Sequence, residues 1–61
     1  MKRRDLIRHL LGHGCRFVRE GHGHSIYANR EGTKSTSVPR HREIGFKLTL
    51  KICKDLDIPR P

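Results

Sequence analysis

The sequence predicts an α+β fold in the order α-β-β-β-α: a three-stranded antiparallel sheet with two helices packed on one face. Apolar residues recur at helical spacing near each end of the chain, and between those stretches they alternate with polar residues at period two. Glycine or proline stands near each change of period. Short joints between consecutive strands make a meander the economical packing.

From Lys2 to Leu11, the residues Leu6, Ile7, Leu10 and Leu11 share one arc of a helix, while Arg4, Asp5, Arg8 and His9 occupy the rest. Gly12 and Gly14 follow. A glycine just past the last periodic residue stops a helix, because it can take the left-handed conformation that satisfies the last carbonyls. Cys15 to Glu20 reads as a first strand, with Cys15 and Phe17 on one face and Arg16, Val18 and Glu20 on the other. After the Gly21 to Gly23 turn, His24, Ile26 and Ala28 alternate with Ser25, Tyr27 and Asn29, which puts His24 at the exposed start of a second strand and in line with its apolar face. Arg30-Glu31-Gly32-Thr33 turns the chain into a third strand, Lys34 to Val38, in which Thr36 and Val38 share a face. Pro39 has no amide hydrogen for a ladder and ends that strand. Beyond the polar connection Arg40-His41-Arg42-Glu43, a second helix runs from about Phe46 to Leu56. Its apolar stripe is Phe46, Thr49, Leu50, Ile52, Cys53 and Leu56, with Lys47, Lys51 and Lys54 opposite.

A chain of 61 residues has room for one domain, 1–61. At this size only about 60% of the unfolded surface is buried, so function belongs on an open face or in a shallow groove. Fourteen Lys and Arg against six Asp and Glu give a charge of +8, spread from Lys2 to Arg60. Such a surface attracts polyanions: nucleic acid first, then an acidic protein, then an anionic membrane. No apolar run approaches the roughly 20 residues of a spanning helix, and Asp5, Arg8 and His9 interrupt what would be the apolar part of a secretory signal. A cytoplasmic location without membrane association is the expectation. Cys15 and Cys53 form no C-x-x-C pair and read as reduced core residues.

Chemistry concentrates in Gly21-His22-Gly23-His24-Ser25-Ile26-Tyr27. Histidine, with an unperturbed pKa of roughly 6.5, accepts and returns a proton near neutral pH. Flanking glycines let a ligand come close to the backbone. The same residues also suit a plain solvated turn. A zinc site from His13, Cys15, His22 and His24 uses legitimate ligands, but the spacing matches no zinc pattern, and no metal or other cofactor is expected.

The element order, with Gly23-His24-Ser25-Ile26-Tyr27 and Val38-Pro39-Arg40-His41, resembles the HicA family of toxins from bacterial type II toxin-antitoxin systems over nearly the whole chain. Leu6-Ile7-Arg8-His9-Leu10-Leu11, Gly14, Phe17-Val18-Arg19, His24, Tyr27, Val38-Pro39 with His41, and Ile52-Cys53-Lys54-Asp55-Leu56 take the family's places in order. His22 stands where members often carry a small residue. The resemblance implies a fold like a double-stranded RNA-binding domain, activity as an mRNA endonuclease of loose sequence preference, and silencing by a HicB-type antitoxin. His24 matches the family's catalytic histidine.

RNA carries its own nucleophile, the 2′-hydroxyl. Cleavage therefore needs a base for that proton, an acid for the leaving 5′-oxygen and positive charge at the phosphate. On this reading His24 is the base or the acid, and the amides around Gly21 and Gly23 with the side chain of Arg19 or Lys34 lie near the phosphate. Arg40, His22 and His41 complete the expected RNA-binding set. His41 and His22 are each either a second proton-transfer group or a polar loop residue. Tyr27 either stacks on a base or packs, and the lysine face of the last helix tracks phosphates, meets the antitoxin or is simply solvated. The rival reading is a non-catalytic RNA-binding module of the same fold. The free edges of a meander leave the oligomeric state open.

Overall fold

A computed structural model describes residues 1–61 and has the expected order: α1 (Arg3–Gly12), β1 (Arg16–Glu20), β2 (His24–Ala28), β3 (Ser35–Pro39) and α2 (Phe46–Asp55). The strands lie side by side as β1-β2-β3, with both pairs antiparallel. Both helices cover one face. Leu6 and Leu10 of α1 meet Ile52 and Cys53 of α2, and Leu56 just beyond it, over Tyr27 and Val38 of the sheet; Cys15 and Ile44 close the cluster.

The two helices end alike. After His13 caps α1, Gly14 turns to φ 84°, and the amides of Gly14 and Cys15 return to the carbonyls of Leu11 and Leu10, both at 3.0 Å. After Leu56 caps α2, Asp57 takes φ 59°, and the amides of Asp57 and Ile58 return to Lys54 and Cys53, again at 3.0 Å. Each end is a Schellman closure. In α1 the left-handed residue is Gly14, with Gly12 still helical; in α2 the same place is held by an aspartate.

The strand faces differ from the expected alternation. Phe17 stands opposite Tyr27 and Arg19 opposite Ile26, which leaves Val18 unpaired as a bulge. Beyond the bulge the alternation is reversed, so Arg19 goes to the open face with Ile26 while Glu20, opposite Ser25, returns to the helix side. In β2 the helix-facing residues are Ser25 and Tyr27, both buried, and His24 lies on the other face with Ile26 and Ala28. The large Tyr27 ring fills the space under the helices, where Ile26 would leave room and His24 would lose its water.

Pro39 is the last residue of β3, not its terminator. The amide that meets the Gly23 carbonyl comes from Arg40, at 3.2 Å, so the missing hydrogen of Pro39 falls on the outer side of an edge strand, where proline is tolerated. Two residues leave the expected apolar stripes: Leu11 is 54% exposed and Phe46 is 69% exposed. Leu11 is turned off the Leu6–Leu10 line in the last turn of α1, and Phe46 opens α2 with its side chain thrown back toward the helix start. Cys15 and Cys53 are free and buried, and burial pushes both thiols up. No helix is long and apolar enough to cross a membrane.

Candidate active site

Gly21, His22 and Gly23 join β1 to β2. The Gly21 amide donates to the His24 carbonyl at 2.7 Å, and the Arg40 amide donates to the Gly23 carbonyl, so the turn is pinned by its own hairpin and by the end of β3. Gly23 has φ 71°, a conformation that a side chain would strain. His24 is the first residue of β2, exposed, and opposite Pro39. Its Nδ1 lies 2.8 Å from the His22 carbonyl oxygen. A carbonyl only accepts, so Nδ1 carries the hydrogen, and in the neutral ring Nε2 holds the lone pair. The ring is oriented by the main chain with its basic nitrogen unengaged.

Cations stand on both faces of this end of the sheet. Arg19, set on the open face by the bulge, brings Nη1 to 3.9 Å from where a Cβ on Gly21 would lie. The Arg40 Nη1 donates to Glu20 Oε2 at 2.8 Å, and the same oxygen accepts from the Ser25 hydroxyl at 2.7 Å. The Ser25 oxygen in turn accepts from Arg3 Nη2 at 2.7 Å, and Arg3 Nε donates to the Pro39 carbonyl at 3.0 Å. The Ser25 hydrogen bond, with the bond and charge of Arg40 and the charge of Arg3, holds the Glu20 carboxyl below its ordinary range. This chain of bonds fixes Ser25 and Pro39, the residues next to His24 along the strand and across the sheet.

Several expected site residues stand elsewhere or act differently. Lys34 lies beside Asn29 at the far end of the β2–β3 hairpin, roughly 17 Å from His24 at about 3.4 Å per residue, and its ammonium is 3.9 Å from Asp57. It does not share a phosphate with His24. The Gly21 amide is taken by the His24 carbonyl, so of the two glycine amides only that of Gly23 is free for a ligand. His22 contributes its carbonyl and leaves its side chain exposed. His41 is exposed and directly follows Arg40, whose amide is bonded to Gly23. Tyr27 is buried with its ring edge-on to Phe17, centroids 5.8 Å apart, so it packs instead of presenting a face to a base. His13 stacks edge-on with His9 at the end of α1 and Cys15 lies in the core, away from His22 and His24, and no three such residues group as a metal site would require.

Sequence reading misses Arg3, Glu20 and Ser25, which are bonded to one another beside His24. One signal was available: Ser25 is a small hydroxyl on the same strand face as Tyr27, and a buried hydroxyl must find partners.

A family model described as the HicA toxin of bacterial toxin-antitoxin matches residues 3–58, from the first residue of α1 to past the end of α2. Neither the curated proteins nor the solved structures gave a match. With the match spanning all five elements in their α-β-β-β-α order, the chain belongs to the HicA family, the toxins of bacterial toxin-antitoxin systems.

Proposed function

We propose that this toxin is a metal-independent endoribonuclease that cuts messenger RNA with His24 as its general base. Membership of the family implies an antitoxin partner; we take that partner to be of the HicB type and the place of action to be the cytoplasm. The observation that carries the reading is the exposed His24 ring, whose Nδ1 is tied to the His22 carbonyl and whose Nε2 is left to accept a proton.

Nε2 removes the proton of a 2′-hydroxyl. The 2′-oxygen then bonds to the adjacent phosphorus and the bond from phosphorus to the 5′-oxygen breaks, leaving a 2′,3′-cyclic phosphate and a 5′-hydroxyl. The leaving oxygen takes its proton from His41 or from water, and the rate of a His41→Ala chain separates the two. Arg19, the remaining donors of Arg40 and the Gly23 amide supply the positive charge and hydrogen bonds that the crowded phosphate needs.

The test is cleavage of a single-stranded RNA and of its all-2′-deoxy counterpart, in EDTA, by the native chain and by His24→Ala. Cutting of the RNA alone, cyclic phosphate ends, and a loss of about 10² to 10⁴-fold in the variant with an unchanged melting curve support the proposal. Undiminished cutting by His24→Ala defeats the assignment. RNA binding without cutting by the native chain leaves a non-catalytic RNA-binding module.

A further inference from the structure

The start of the chain pairs with the segment before α2. The Arg3 amide donates to the Arg42 carbonyl at 2.9 Å, the Ile44 amide donates to the Met1 carbonyl at 2.8 Å, and Lys2 and Glu43 bridge between them. This pairing gathers Lys2, Arg3, Arg4 and Arg42 around a cavity of about 220 Å³ that no other residue lines.

Four cations border one hollow that no carboxylate lines; Arg4 is paired with Asp5 and Arg3 acts on Glu20, so the cations without an ion-pair partner are Lys2 and Arg42. Asp5 is turned to Arg4 and Arg8, at 3.7 and 4.0 Å, and Glu20 to Arg40. The side chains of Lys2 and Arg42 have neither an ion-pair nor a hydrogen-bond partner. The attraction for an anion comes chiefly from these side chains, because the amides of Arg3, Asp5 and Leu6 are already bonded to Arg42 and Lys2 and only that of Arg4 is left at the helix start.

The lining also decides the kind of anion. With no apolar residue in it, the cavity lacks the anchors on which the centre of a protein interface depends. Charged donors without apolar surface suit a backbone phosphate, a group that positions a strand without reading its sequence. The space admits a phosphate with several waters, each of about 30 Å³. Arg3 links this cavity to the catalytic end of the sheet, since its guanidinium holds Ser25 and the Pro39 carbonyl on either side of His24.

We propose that the Lys2, Arg3, Arg4 and Arg42 cavity binds a backbone phosphate of the RNA remote from the one that is cut, and so holds the strand across the His24 turn. The proposal rests on the ribonuclease reading for the identity of the strand, but its test does not depend on cleavage.

A labelled short single-stranded RNA is titrated by fluorescence anisotropy with the non-cleaving His24→Ala chain, and with the same chain carrying Lys2→Ala and Arg42→Ala, over a range of salt. The added pair of substitutions should weaken binding roughly three- to tenfold at low salt. It should also lower the slope of log affinity against log salt by about 0.7, the share of one single-strand phosphate. With His24 intact, Lys2→Ala with Arg42→Ala should raise KM for the oligonucleotide while sparing kcat. Equal affinity and slope overturn the proposal, as does an absence of RNA binding by every form. Unchanged RNA binding with lost binding of the antitoxin overturns it too, since the cavity then serves a protein. If the cavity governs binding but the native chain never cuts, the phosphate site stands and the nuclease reading falls.

Discussion

The ring of His24 is anchored to the main chain of His22, Nδ1 to carbonyl oxygen at 2.8 Å. Because the acceptor is backbone, the contact survives loss of the His22 side chain. A His22→Ala chain should therefore keep most of its RNA cleavage and the same ring tautomer by nitrogen NMR, while His24→Ala loses about 10² to 10⁴-fold. Equal inactivity of the two variants would give the His22 imidazole a chemical part of its own.

The matched helix ends give two substitutions of opposite sign. Asp57 holds φ 59° in the place where glycine is preferred, so Asp57→Gly should stabilise the fold by about 0.5 to 1 kcal/mol. The exposed Lys34 pair that it gives up, at 3.9 Å, is worth little. Gly14→Ala should destabilise, because φ is 84° and a Cβ would stand 2.4 Å from the Arg30 Nε. Thermal melts check both, at about 4 to 8 °C per kcal/mol for a domain of this size.

Glu20 ties acid stability to the His24 end of the sheet. Its carboxyl is held below the ordinary 4.5 chiefly by the Ser25 hydrogen bond. The stability this contributes is present above that ordinary value and is lost as pH falls through the lowered folded value. Glu20→Gln should therefore melt earlier than the native chain at neutral pH and converge with it in strong acid. The same gap at both extremes would show that the effect is not the titration of this carboxyl.

Thr49 is buried in α2, and its hydroxyl has no partner within the chain. Thr49→Val keeps the shape and removes an unmatched polar group, so a gain of about 1 kcal/mol in denaturant unfolding is expected. A loss would show that the hydroxyl is satisfied in solution, by a water or by a bond that forms there.

The order of elements and the histidine at the turn were legible, because helical and period-two spacing and a glycine-flanked ring are local signals. Which face of β2 turns inward was not. His24-Ile26-Ala28 and Ser25-Tyr27 have the same period, and the partners that make Ser25 buriable, Arg3 and Glu20, are 22 and 5 residues away. The bulge at Val18 leaves no trace either, since Phe17-Val18-Arg19-Glu20 contains no glycine to mark it. Arg42 joins Lys2 only through backbone pairing of segments 40 residues apart, which no side-chain pattern announces.

The two thiols packed within the core carry a practical corollary. Neither is a ready nucleophile while the native packing holds, so an alkylating reagent should leave Cys15 and Cys53 untouched on the intact molecule and mark them only after the helices part from the sheet. Their rate of modification thus becomes a built-in clock for opening. Run with the antitoxin present and absent, it would measure how far that partner slows the breathing of the fold.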